Sequence, residues 1–347
     1  METSEFKKTL LLKLYIKALL KTPFLDKEDT KAKREHKNSL KTLKTLLLNR
    51  PDSANVFECF NEQTEEEYIN LNIKIYNAYK PYNELIKNID IDEINLEEVY
   101  SKMKKEIDKK VTDITYEEML ELTHDFYNSL PDKEIRKIFK NIYKEKNNNI
   151  RLYDSSSFTY LLPSINYSLI SLDIANETYR DMIYDLVHEY GHCIQTSLTN
   201  RIDFYGIEYE PAELMPVFFD MLSTFYFDDN KTSNTLEKNI FQQQTKIYID
   251  QIKYTEEIMQ NGYEAFKDKY NDIAQEIYLE HNLLQVYSYL IPMLTSYELL
   301  TKYKEDPEKT MTILKSLVNK GDYLNKLNKN NIHLGESTKE VIKMLKK

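Results

Sequence analysis

Five glycines and nine prolines are all that punctuate a chain of 347 residues. Tight turns draw on these two residue types, one for positive φ and the other for its fixed φ, and an all-β chain needs a turn signal every ~8–12 residues. The supply here is too small for that. Lys, Glu and Leu, which lose little side-chain freedom in a helix, are abundant instead, so the fold class read from sequence is mainly α. A chain of this length buries a large core and needs no covalent staple.

Composition also narrows function. The formal net charge is −10, and a general nucleic-acid binder requires a concentrated basic surface, so no nucleic-acid partner is expected. The cysteines, Cys59 and Cys193, lie far apart and form neither a disulfide framework nor a cysteine metal cluster. Cys193 reads as a small buried side chain. The apolar stretch from Thr9 to Leu20 is interrupted by Lys13 and Lys17 and has no small-residue cleavage pattern after it, which suits an amphipathic helix better than a signal sequence. No segment has the uninterrupted apolar run that spans a bilayer, so no membrane partner is expected and a cytoplasmic location is the default.

Along the chain, residues 5–48 and 53–89 read as helices separated at Pro51-Asp52, and further helices are expected near 95–110, 115–130 and 133–146. After Asn147 the pattern changes. Ile150 to Tyr153 and Asn166 to Leu172 carry the β-branched and aromatic residues of short strands, with a loop at Asp154-Ser155-Ser156-Ser157. Helical periodicity resumes near Glu177, with Ile183, Leu186, Val187, Ile194 and Leu198 available for packing. The domain reading is an N-terminal helical region, 1–112, followed by a catalytic region, 113–347, the latter forming one compact unit with a small β-sheet beside a helix that carries the motif below.

That motif is His188-Glu189-Tyr190-Gly191-His192. Histidines four residues apart project from nearly the same face of a helix, so His188 and His192 can offer two imidazole nitrogens to one zinc ion. Glu189 is rotated away from them, where a carboxylate can act as general base toward water at the site. Gly191 leaves room for substrate or a neighbouring strand. A third protein ligand is required, and Glu208, Glu210 and Glu213 lie downstream. Glu213 is preferred because it opens the apolar helix through Val217, Phe218, Met221 and Leu222, which can hold a carboxylate rigidly.

With HEYGH followed by Pro211-Ala212-Glu213-Leu214-Met215-Pro216-Val217-Phe218-Phe219-Asp220, the chain resembles the M3 family of metallopeptidases, the oligopeptidase F and thimet-type enzymes. The resemblance covers about two-thirds of the chain, from near residue 115 onward. It implies a zincin-type fold, one Zn2+ per chain held by His188, His192 and Glu213, and Asp220 as the acid that orients a ligand histidine, where the family usually has Glu. Tyr167 to Leu172 resembles the family's edge strand, which implies that Tyr167, Ser168, Leu169, Ile170 and Ser171 bind an extended peptide substrate. The segment from His281 to Tyr289 resembles one whose His and Tyr contact substrate and the tetrahedral intermediate, which nominates His281, Tyr287 and Tyr289. His281 and Tyr289 lie eight residues apart, near one helical face, while Tyr287 points elsewhere.

Two departures stand out. Ser155-Ser156-Ser157-Phe158-Thr159-Tyr160 replaces the family's glycine-rich loop. Pro216 falls between Glu213 and Asp220, and an interior proline costs about 3 kcal/mol in a helix unless it sits in the first turn. The function implied is a zinc metalloendopeptidase acting on oligopeptides or extended polypeptide segments, with Glu189 as base. Residues 1–112 are shorter than the helical region that walls the channel in typical relatives, so a more open groove is expected. A non-catalytic peptide binder and a zinc carboxypeptidase are the alternatives, and the oligomeric state is left open.

Overall fold

The computed structural model describes residues 65–108, 112–153, 157–162, 167–173, 178–199, 212–228, 231–270, 275, 278, 283–319 and 321–346. The expected helix at 5–48 lies outside them. The chain begins, as described, with helices α1 (Glu65–Ala78), α2 (Lys80–Ile86), α3 (Leu96–Ile107), α4 (Tyr116–Ser129) and α5 (Lys133–Tyr143). One helical turn, Lys146–Asn149, leads into strands β1 (Ile150–Tyr153), β2 (Phe158–Leu162) and β3 (Tyr167–Asp173). Then come α6 (Met182–Thr199), α7 (Leu214–Tyr226), α8 (Asn234–Asn261), α9 (Tyr263–Lys269), α10 (Leu283–Glu305), α11 (Pro307–Val318), α12 (Tyr323–Lys329) and α13 (Thr338–Leu345). No described helix is long and apolar enough to cross a membrane.

Local chemistry explains the helix boundaries. A capping box opens α4, where Thr115 accepts from the Glu118 N–H and Glu118 accepts from the Thr115 N–H. The carboxylate of Asp132 accepts from the N–H groups of Glu134 and Ile135 and fixes the start of α5. The single helix expected over 53–89 is divided at Tyr79, because Pro81 has no N–H to donate backwards and is tolerated only in the first turn of a new helix.

The sheet departs from the sequence reading. Its order is β1-β3-β2, with β1 parallel and β2 antiparallel to β3. The strand β2 follows the loop read at 154–157 and takes up Phe158-Thr159-Tyr160, from the segment that replaces the family's glycine-rich loop, pairing them with Ser171, Ile170 and Leu169 of β3. Consequently β3 is the central strand and not an edge. It pairs with β2 along 167–171 and with β1 along 170–173, and Ser168 accepts from the Asn149 amide beside the incoming helical turn.

One core cluster runs from Tyr82 to Leu345 and so takes residues from both sides of the expected boundary at 112/113. The helix α6 lies at its centre, packed on β2 and β3, on α4 and α5, and on α7, which in turn packs on α10. Tyr127 of α4 donates to the Val187 carbonyl at 2.6 Å, and Tyr190 sits among Tyr127, Phe139 and Tyr143. This aromatic group fastens α6 from behind.

The contact of α6 with α7 is close enough to exclude a side chain. A Cβ on Gly191 would meet Pro216 Cα at 2.6 Å and Pro216 N at 3.0 Å. Neither substrate nor strand occupies the space that Gly191 leaves; the neighbouring helix does. Pro216 is the third residue of α7, inside the first turn, so the cost of an interior proline does not arise. Gly191→Ala is therefore expected to destabilise the protein by about 1–3 kcal/mol through overpacking against backbone, read as a lower denaturant midpoint, and an unchanged midpoint would show that the helices can part freely.

Candidate active site

The two histidines of α6 face α7 with ring centroids 4.8 Å apart. His188 presents Nδ1 to Asp220 Oδ2 at 2.6 Å. Its other nitrogen, Nε2, lies 3.3 Å from Glu213 Oε2, and His192 Nε2 lies at the same 3.3 Å from that oxygen. Glu213 and Asp220 are seven residues apart on α7, two turns, and so share a face. Pro216, in the first turn of α7, does not keep Asp220 from the His188 imidazole.

Glu213 Oε2 is buried and accepts no hydrogen bond. A proton on His188 Nδ1 shared with Asp220 would leave Nε2 as the ligand atom toward a cation. Two ligand bonds of ~2.0–2.1 Å meeting at a tetrahedral angle span about 3.3–3.4 Å, which matches both imidazole-to-carboxylate separations. The three donor atoms all lie within 4.8 Å of one another. Donor chemistry and spacing both fit a zinc-sized cation.

Glu189 lies beside this cluster, buried, with Oε2 unpartnered among the described residues. Burial raises its carboxyl pKa while the His192 and His188 imidazoles oppose the rise. For Glu213 burial also favours the neutral acid, yet the two imidazoles prevail and hold it well below the usual carboxylate range. Asp220 is pushed up by burial against the pull of His188. Burial would depress His188, but the carboxylates of Asp220 and Glu213 raise it well above the ordinary histidine value.

The nominated tyrosines part company. The charge of Glu213, then burial, raises Tyr289 well above the ordinary phenol value, with Glu189 and Asp220 adding to it, so this phenol lies within electrostatic reach of the cluster and keeps its proton. Tyr287 does not reach the cluster. It is fully buried, donates to the side chain of Asn83 and stacks on Tyr79 at 4.3 Å between centroids, so it joins α10 to α2. The catalytic assignment of Tyr287 is corrected to packing. His281 lies outside the described residues, as do Glu208 and Glu210. Cys193 is fully buried, and burial pushes its thiol far up, which suits an inert core residue.

The peptide-binding reading of Tyr167, Ser168, Leu169, Ile170 and Ser171 took β3 for an edge strand, whereas β2 pairs along all five residues and β1 pairs from Ile170 onward, so Ile170 and Ser171 have strands on both sides and leave no row for a peptide to join. The edge strand next to α6 is β2, where Thr159 donates to the Glu189 carbonyl at 3.2 Å. Ser157, just before β2, donates to Asp185 of α6 and accepts from the Asp173 N–H at 3.0 Å, which fastens the start of β2 to both α6 and β3. Sequence reading missed Asp185 and Gln195, although both fall on the helix face that carries His188 and His192, at spacings of three residues outward from each.

No family model and no curated protein matches the chain. Among solved structures it is similar to an oligoendopeptidase F from Bacillus anthracis str. Ames, with a TM-score of 0.52 and 12% sequence identity over 90% of this chain and 63% of that one. It is also similar to PZ peptidase A with an inhibitor, with a TM-score of 0.50 and 11% identity over 82% of this chain and 58% of the other. The chain thus spans less than two thirds of the length of either. At such identities the likeness is one of backbone architecture: this chain shares the mainly helical fold of these peptidases, with a small sheet beside the helix of HEYGH.

Proposed function

We propose that the protein is a zinc-dependent metalloendopeptidase that hydrolyses bonds within oligopeptides or extended polypeptide segments. The observation that carries this reading is the convergence of His188 Nε2, His192 Nε2 and Glu213 Oε2, with the carboxylate of Glu189 beside them. The peptidases named among the structural neighbours support it. A zinc ion bound by these three side chains would polarise the scissile carbonyl and make water a stronger acid.

The remaining work falls to the chain's own groups. Glu189 accepts a proton from the attacking water as the oxygen bonds to the carbonyl carbon, and delivers it to the amide nitrogen as the C–N bond breaks. Asp220 holds the His188 proton on Nδ1, which keeps Nε2 free as a ligand. Tyr289 donates toward the carbonyl oxygen as it gains negative charge, an interaction stronger in the transition state than in the bound substrate.

The decisive experiment combines metal analysis with turnover of a mixed peptide library. One zinc per chain is expected, absent from the His188→Ala, His192→Ala double variant. Glu189→Gln should keep the zinc and lose at least ~10²-fold in kcat, because an amide cannot accept the proton. Full metal occupancy in the double variant, or unimpaired hydrolysis by Glu189→Gln, would refute the assignment.

The two tyrosines supply a contrast. Tyr289→Phe should lower kcat by about 10²-fold with little change in KM, whereas Tyr287→Phe should cost about 1 kcal/mol of folding stability through the lost bond to Asn83 and leave kcat alone. Equal kinetic effects of the two would deny Tyr289 its role.

Substrate lies, on this reading, along the edge of β2 that no described strand covers, as an added antiparallel or parallel strand. Backbone N–H groups of a strand alternate in direction, so N-methylation scanned along a peptide substrate should raise KM at every second position. A KM profile without that alternation would count against strand addition.

A further inference from the structure

The start of α7 has an unusual arrangement of donors. Glu213 stands at the position that normally caps a helix, yet it makes no capping hydrogen bond, because its carboxylate is turned to the two imidazoles. A helix whose capping residue is diverted leaves its first N–H groups to find other acceptors. Pro216 removes one of these by having no N–H at all. The Met215 N–H is satisfied by Oε1 of Gln195 at 3.0 Å, from the neighbouring helix α6. The same side chain uses Nε2 to donate to the Ala212 carbonyl at 2.7 Å. One carboxamide therefore grips the backbone on both sides of Glu213, one residue before it and two after.

Gln195 follows His192 by three residues and so lies on the same face of α6. We infer that Gln195 is the positioning residue for Glu213: it takes over the cap that Glu213 gave up and fixes the carboxylate against His188 and His192. The inference rests on the metal-binding reading of those three residues. It makes α6 responsible for all three ligands, two borne directly and the third held through backbone.

Gln195→Met keeps the length of the side chain and removes both hydrogen bonds. Gln195→Glu keeps an acceptor for the Met215 N–H but sets an oxygen against the Ala212 carbonyl. For the methionine variant, zinc affinity measured by chelator competition is expected to fall about 10–100-fold, with an intermediate loss for the glutamate variant. The visible spectrum of the cobalt-loaded methionine variant should shift, since it reports ligand geometry, and kcat should fall while KM holds. A methionine variant with wild-type zinc affinity and an unshifted cobalt spectrum overturns the inference even if its melting temperature drops, because Gln195 would then only staple two helices. If that variant does not fold, the glutamate variant decides by the same two measurements. Wild-type protein that takes up no zinc is a separate result, which removes the parent reading and this one with it.

Discussion

The structure turns on how closely α6 and α7 approach. Where Gly191 meets Pro216 there is no room for one more carbon, and that distance sets the reach of every side chain between the helices. Asp220 and Glu213, two turns apart on α7, address the two nitrogens of one imidazole, at 2.6 Å and 3.3 Å. Such a double contact tolerates little displacement, since a shift of an ångström either breaks the bond to Nδ1 or carries Glu213 away from both histidines. The glycine and proline of this contact are doing one job from opposite sides: one lacks a side chain, and the other lacks the N–H that close packing would orphan.

Electrostatics agrees with geometry. Glu189, Glu213, Asp220 and Asp185 crowd into a region where burial disfavours every carboxylate charge. Carboxylates held that closely in a low dielectric are costly unless positive charge is set among them. The imidazoles supply part of it, as the lowered pKa of Glu213 records. A divalent cation between His188, His192 and Glu213 would supply the rest, taking one lone pair from each as a ligand. The cluster makes sense as a site whose own charges are balanced by a guest.

Much of this was legible in the sequence because it is local. Spacing of four placed His188 and His192 together, and the apolar run after Glu213 announced α7. Less legible was whatever depends on a partner distant in sequence. Phe158-Thr159-Tyr160 becomes a strand because β3 is there to pair with it, and nothing in a serine-rich segment says so. The same pairing turns β3 from an edge into a centre and covers one side of Tyr167 to Ser171. Tyr287 and Tyr289 look alike as phenols on one helix. Their difference comes from α2, whose Asn83 and Tyr79 take up Tyr287, and from α7, whose Glu213 stands before Tyr289. Pro216 looked like a threat to Asp220 only while the start of α7 was unknown.

Seen from α6, the site is an extension of one helix. Its front face carries His188 and His192, and its buried flank is fixed by the Tyr127 bond to Val187 and the aromatic group around Tyr190. One turn before the histidines, Asp185 holds Ser157 and with it the start of β2; one turn after them, Gln195 holds the backbone around Glu213. A strand on which peptide would lie and a carboxylate that would complete the metal site are thus both referenced to the same rigid rod. Side chains anchored on a packed helix keep relative positions better than side chains on independent loops, and hydrolysis needs that precision, since a misplacement of about 1 Å costs ~10²-fold in rate. The polar ties at the two ends of the motif matter for this reason: on the proposed reading they would set where peptide and metal ligand stand relative to Glu189, while the aromatic packing behind holds the helix itself in place.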